Sequence, residues 1–248
     1  MRLTQIFRDV AEFLYPGLCA GCRKSSGNSF LCDTCSGEVD HLAITPACPL
    51  CALPLGYPNA PCPYCIGRGV SHYDRIVRLT PFDPPIRGLV HRLKYNRSWA
   101  VGEFFADRLL AMESVKTLLQ ESDCLLPVPL HFLRRWGRGY NQAEVIARRL
   151  AKQCGLPLAS PVARTRNTET QTHLHSRQRR MANLRGAFRL TDPAEITGRH
   201  VVVVDDVLTT GATLQMLART LKPARPASLS ALVVAVAEPR PTNPRPPR

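Results

Sequence analysis

After position 71 the apolar residues of this chain recur with two alternating periods, one suited to strands and one to helices. Ile76, Val77 and Leu79 mark a strand over residues 73–80, and the prolines between 81 and 85 turn the chain. Ile86, Leu89, Val90 and Leu93 have helical spacing, with an end near Lys94 and Tyr95. A second helix is expected over 100–119, and a short buried strand over 124–128, closed by Pro127 and Pro129. Residues 131–138 read as a basic loop. A helix over 142–154 is ended by Gly155. Val162 and Ala163 form a short strand before a polar stretch, 164–185, and Phe188 and Leu190 restart a strand. The central strand is expected over 201–205, its helix over 212–221 and a last strand over 229–237. This alternation predicts an α/β fold with a mainly parallel sheet.

Four valines, Val201 to Val204, suit a strand buried on both faces, and they run into Asp205 and Asp206. Val207, Leu208, Thr209, Thr210, Gly211, Ala212 and Thr213 lead from there into the helix. Open α/β sheets bind ligands at such carboxyl ends of strands. A helix N-terminus offers unpaired N–H groups to a phosphate, Gly211 allows close approach, and the threonines add hydroxyls. Two carboxylates would repel a phosphate beside them, but they accept hydrogen bonds from vicinal hydroxyls or hold a divalent cation. The run therefore fits a phosphorylated sugar. The competing reading is a helix N-cap with no ligand.

The first 67 residues differ in composition. Eight of ten cysteines fall in pairs two residues apart: Cys19/Cys22, Cys32/Cys35, Cys48/Cys51 and Cys62/Cys65. Such knuckles aim two thiolates at one tetrahedral zinc ion, and a structural site supplies folding free energy of about 10–16 kcal/mol. Linear order suggests one site from the first two pairs and one from the last two, although interleaved pairing meets the same spacing. Disulfides and redox chemistry compete with zinc. With all positions filled by thiolates, catalysis at the metal is not expected. Cys124 and Cys154 read as apolar filler.

Leu3, Ile6, Phe7, Val10, Phe13 and Leu14 predict a short amphipathic helix, which Arg8, Asp9 and Glu12 distinguish from a secretory signal. No apolar stretch reaches the ~20 residues that span a bilayer, so a cytoplasmic protein is expected. The expected division is 1–67, 71–237 and a Pro- and Arg-rich tail over 238–248.

The net charge of +14 predicts an acidic partner: nucleic acid, phosphorylated ligand or anionic membrane. Between Arg134 and Arg189 thirteen basic residues face only Glu144 and Glu169, so the excess is concentrated there. Pro129, Leu130, His131, Arg134, Arg135 and Arg138 follow a strand and precede a helix, an arrangement suited to pyrophosphate. The stretch 166–183, with Thr168, Gln171, Leu174, Arg177, Arg179, Arg180 and Asn183, has the length and polarity of an active-site lid. His173 and His175 read as lid surface.

The run from Asp205 to Thr213 resembles the ribose-5-phosphate loop of type I phosphoribosyltransferases, which bind phosphoribosyl pyrophosphate (PRPP). Further pieces extend the resemblance. They are the paired cysteine knuckles, Leu93-Lys94-Tyr95, Pro127-Val128-Pro129-Leu130 with Arg134, Arg138-Gly139-Tyr140-Asn141-Gln142, Thr168 with Gln171 and Leu174, and Asn183 through Phe188. Together they resemble the ComF/GntX family of phosphoribosyltransferase-like proteins, linked to competence and DNA use. The resemblance implies a type I phosphoribosyltransferase-like fold behind a four-cysteine double zinc ribbon, and PRPP binding with Mg²⁺. It implies that the amides of Leu208 to Ala212 and the hydroxyls of Thr209, Thr210 and Thr213 hold the 5-phosphate. Asp205 and Asp206 then hold the ribose hydroxyls, and Arg134 and Arg138 the pyrophosphate beside Pro129, Leu130 and His131. Gln171, Arg177, Arg179 and Arg180 belong to the lid, with the spacing between Leu174 and Asn183 one residue longer than the family pattern.

The alternative is a single-stranded DNA-binding module that retains the PRPP pocket. The exposed aromatics expected for base stacking are Trp136 and Tyr140. A zinc-braced scaffold for a helicase-type partner is a third reading that no feature selects. No residue set reads a particular acceptor.

Overall fold

The structure, a computed structural model, describes residues 17–27, 29–96, 98–166 and 184–238. The expected N-terminal helix, the lid residues Thr168, Gln171, His173, Leu174, His175, Arg177, Arg179, Arg180 and Asn183, and the tail from 239 lie outside these.

Four strands form one parallel sheet in the order β1-β6-β5-β2: β1 (Arg75–Pro81), β6 (Ser228–Val236), β5 (His200–Leu208) and β2 (Cys124–Pro127). Val201 through Val204 are buried, as a strand covered on both faces requires. A separate antiparallel pair joins β3 (Val162–Arg164) to β4 (Phe188–Leu190). One sheet face packs on α2 (Ile86–Tyr95), α3 (Trp99–Leu110), α4 (Glu113–Gln120) and α6 (Gln142–Cys154). The other packs on α7 (Ala212–Leu221) and the β3–β4 pair.

The cysteine-rich segment joins both cores. Cys19 and Cys35 pack with Leu89, Leu93 and Phe105 on the first face. Cys48 and Cys51 pack with Val70, Tyr73 and Ile76 on the second. Between them α1 (Asp33–Ala43) runs along edge strand β1. Phe30 stacks on Phe104 with centroids 5.0 Å apart, and Arg108 reaches both Asp40 and Ser36.

Helix α6 has the expected bounds. Asn141 caps it by accepting from the Ala143 amide, and Gly155 ends it at φ 69°. Three expectations are corrected. Residues 100–119 form two helices, because Met112 leaves the helical region (ψ 130°) and re-aims Val115, Leu118 and Leu119 at the core. Residues 131–138 contain a short helix, α5 (Phe132–Arg138), capped by the His131 ring and ended by Gly139. It is a short helix with no buried residue, and its arginines outweigh the exposed Phe132, Leu133 and Trp136 as a guide to structure. Cys154 is exposed at the end of α6, not apolar filler, whereas Cys124 is buried.

Helices α3 and α6 cross closely at Gly102, where an added Cβ would lie 2.7 Å from Val145 Cγ1. Overpacking costs about 1–3 kcal/mol, whereas the helix propensity gained from alanine is about 1 kcal/mol. Gly102→Ala is expected to lower Tm, and the same change on a Val145→Ala background to raise it. Thermal melts of the four-member cycle measure both signs.

Candidate functional site

Strands β2 and β5 are neighbours, with Pro127 opposite Val204, so the loops leaving both lie side by side at the carboxyl edge of the sheet. The Val128 amide donates to Val204 O, and Asn141 Nδ2 donates to Val128 O at 2.9 Å. The two stretches singled out in sequence therefore meet at one place.

Strand β5 continues through Leu208, past the end expected at Asp205, so Asp206 also lies within the strand. Because strand side chains alternate, Asp205 lies on the face of Val201 and Val203, and Asp206 on that of Val202 and Val204. Lys94, from the end of α2, holds Asp206 at 3.0 Å. Asp205 accepts from the Asp206 amide at 2.8 Å. Burial, and then the negative charge of Asp206, push the Asp205 carboxyl up to about 7, against the pull of Lys94 and Arg164. The two carboxylates are thus unequal and reach the edge from opposite faces.

The loop after β5 is Thr209, Thr210 and Gly211. Gly211 adopts φ 74°, the left-handed region that favours glycine, at the N-terminus of α7. Thr210 Oγ1 is buried and has no hydrogen-bond partner among the described residues. A hydroxyl so placed beside a helix N-terminus suits an incoming anion.

Three guanidinium groups converge on the neighbouring loop. Arg138 lies 5.3 Å over the Tyr95 ring and donates to Gln142 Oε1 at 3.1 Å. Arg134 is lowered by burial and by Arg138. Arg164, on β3, is lowered to about 10 by burial, Arg134 and Arg138, with Asp205 opposing. Guanidinium groups that act on one another in this way can receive an anion. Arg135 does not join them, since it pairs with Glu144 at 3.2 Å. His131 is buried, and its Nδ1 accepts from the Leu133 amide, which makes it a helix cap. Pro129 and Leu130 line a cavity together with Asn141, Arg135 and Glu144.

Lys94, Tyr95 and Gln142 stood in stretches that carry the family resemblance but had no assigned role, and Arg164 was counted only among the basic residues. Arg164 left a further signal in sharing an inward strand position with Val162. The partner of Lys94 was not legible, since Asp206 is distant in sequence.

The thiolates segregate in linear order: Cys19, Cys22, Cys32 and Cys35 in one group, and Cys48, Cys51, Cys62 and Cys65 in another. Sulfur atoms of each group lie within 4.8 Å of one another. Separations of 3.7 Å (Cys22–Cys32), 3.8 Å (Cys48–Cys65) and 3.6 Å (Cys51–Cys62) match the ~3.8 Å edge of a tetrahedron with Zn–S of ~2.3 Å. The residues fit two structural zinc ions.

Residues 138–246 match the phosphoribosyl transferase domain, and residues 10–66 the double zinc ribbon domain. The DNA utilization protein YhgH of Salmonella typhi is 38% identical over 213 residues, 83% of this chain and 91% of that protein. Competence protein F of Haemophilus influenzae is 33% identical over 211 residues, covering 83% and 84%. The chain belongs to the ComF family. Competence protein ComFC of Bacillus subtilis matches this ComF-family chain at 33% over 97 residues, covering 39% and 37%. Among solved structures, the purine phosphoribosyltransferase of Pyrococcus horikoshii is similar at TM-score 0.31 and 16% identity, over 70% of this chain and 97% of that one. No helix among the described residues is long and apolar enough to cross a membrane.

A raised carboxyl pKa means that the folded state holds its proton more tightly than the unfolded chain does. The stability from Asp205 is therefore present at low pH and lost as pH rises from near 4 through about 7. Asp205→Asn is expected to raise the Tm of the ligand-free protein more at pH 8 than at pH 5. Equal gains at both pH values in thermal melts would show an ordinary carboxyl.

Proposed function

We propose that this ComF-family protein binds PRPP at the carboxyl edge of its sheet and transfers its phosphoribosyl group. The observation that carries the reading is the meeting of three unlike pieces beside the neighbouring ends of β2 and β5: the Asp205/Asp206 pair, the Thr209–Thr213 loop and the arginines Arg134, Arg138 and Arg164. Leu208 to Ala212 supply amides, and Thr209, Thr210 and Thr213 hydroxyls, for the 5-phosphate. Asp205 and Asp206 take the ribose hydroxyls. Arg134 and Arg138, joined by Arg164, take pyrophosphate beside Pro129 and Leu130, with His131 acting as the cap that shapes the turn. Negative charge grows on pyrophosphate as the C1–O bond breaks, and fixed cations there lower the barrier. Asp205 is the residue fit to hold Mg²⁺ together with ligand oxygens, since Asp206 is committed to Lys94 and lies on the other face. The ion neutralises pyrophosphate when bound. The lid residues Gln171, Arg177, Arg179 and Arg180 are proposed to close over this edge. A reducing compartment such as the cytoplasm keeps eight metal-binding thiolates available.

Asp206→Asn and Arg138→Ala are each expected to weaken PRPP at least tenfold in calorimetry with Mg²⁺, the effect of losing ~1.4 kcal/mol. Unchanged affinity would sink the assignment. Pyrophosphate release across nucleobases, amines and single-stranded DNA identifies the acceptor.

A second reading has its own observation. Phe132 and Trp136, exposed by 67% and 83%, share a helix with Arg134, Arg135 and Arg138, and Tyr95, exposed by 53%, lies under Arg138. This corrects the pair expected from sequence, because the Tyr140 hydroxyl instead donates to Leu93 O. Exposed rings amid arginines suit base stacking on single-stranded DNA, and the Salmonella relative is named for DNA utilization. Trp136→Ala is expected to weaken a salt-sensitive oligonucleotide complex about tenfold in fluorescence anisotropy. Equal binding by variant and parent would remove the stacking role.

A further inference from the structure

The second four-cysteine centre stands close to the phosphate loop, and the link between them is short. In the knuckle Cys48-Pro49-Leu50-Cys51, Leu50 O accepts from the Val70 amide at 3.0 Å and Pro49 O from the Ile76 amide at 2.7 Å. Gly69 (φ +55°) passes so near that an added Cβ would lie 2.6 Å from Leu50 O. The chain between these anchors then touches the start of α7 at three points. Val70 is buried, and its Cγ2 would lie 3.2 Å from a Cβ added at Gly211. Ser71 Oγ accepts from Gln215 Nε2 at 3.0 Å. The Tyr73 hydroxyl donates to Leu214 O at 3.1 Å. Gln215 and Leu214 lie in the first turn of α7, and the Gln215 amide donates to Gly211 O at 2.8 Å.

The first four-cysteine centre is placed differently. It packs against α3 on the opposite face, through Phe30–Phe104 and Arg108–Ser36.

We propose that Val70, Ser71 and Tyr73 form a strap that positions the phosphate loop, and that the Cys48/Cys51/Cys62/Cys65 centre anchors it. This rests on the reading of that loop as the PRPP cup. A cup of backbone amides binds an anion only if the amides converge, and a displacement of about 1 Å at such a site costs on the order of 100-fold. Val70 closes the outer side of the left-handed Gly211, where the loop has no side chain of its own to set its height. Tyr73 pins the carbonyl of Leu214 within the first turn. Burial and the neighbouring Asp205 charge raise the Tyr73 pKa, so its hydroxyl stays a neutral donor. The strap residues are positioning residues, and none needs to touch the ligand.

The test uses the full zinc-loaded chain and the double variant Val70→Ala/Tyr73→Phe. Metal analysis is expected to give the parent zinc content. Amide hydrogen exchange over residues 208–215 is expected to quicken about tenfold while that over 99–110 stays unchanged, since a local opening exposes only local amides. PRPP affinity is expected to fall about tenfold or more. Arg108→Ala, which frees the first ribbon from α3, is expected to leave 208–215 unaffected. Cys65→Ser is expected to quicken exchange over 208–215, and if it does not fold, the zinc-retaining double variant decides. Exchange over 208–215 that is unchanged in the double variant overturns the strap. If the parent protein shows no PRPP binding, the PRPP reading falls, while the exchange arm still decides the strap.

Discussion

A carboxylate pair hydrogen-bonded into the end of a buried parallel strand constrains everything around it. Asp205 and Asp206 stay in the β5 ladder, with Asp205 opposite Val233 of β6. Charges taken from water there need compensation from other elements. Lys94 supplies it on one face and Arg164 contributes on the other, from α2 and from the antiparallel β3–β4 pair. Compensation stays incomplete at Asp205, whose carboxyl keeps a raised pKa. The carboxyl edge of the sheet thus becomes a place where ionic groups of both signs are held rigidly, close to a helix N-terminus.

The four-stranded sheet has an edge at β1, and an exposed edge strand invites pairing with other chains. The cysteine-rich segment covers that edge. It places one thiolate group in the core on each face, with α1 and the Thr45–Pro46 turn between them. Arg78 of β1 is buried under that turn and donates from Nη2 to Thr45 O at 3.4 Å. Metal binding and sheet protection are therefore one device. The ribbon has few apolar residues of its own, and each half borrows a core from the transferase fold.

Much of the fold was legible in short windows. The bounds of α6 and α7, the buried valine strand and the presence of four cysteine knuckles follow from local spacing, capping and turn chemistry, whereas the grouping of the knuckles into two centres came from the structure. Two helical features were not legible. Helix α5 turns its apolar residues outward, buries none of them and is held by a cap at each end. The break at Met112 carries no glycine or proline, and is imposed by the core that Val115 and Leu118 enter.

At the site, the sequence by itself determined which chemical groups are present: two adjacent carboxylates, a glycine between hydroxyls, an excess of arginine and eight paired thiols. These are properties of neighbouring residues. The tertiary structure alone decided which face each carboxylate takes and which arginines gather beside Asp205. It also decided that Arg135 is lost to Glu144 and that Lys94 lies against Asp206. Such pairings join residues far apart in the chain, and only the packing of helices on the sheet brings their charges within reach of each other.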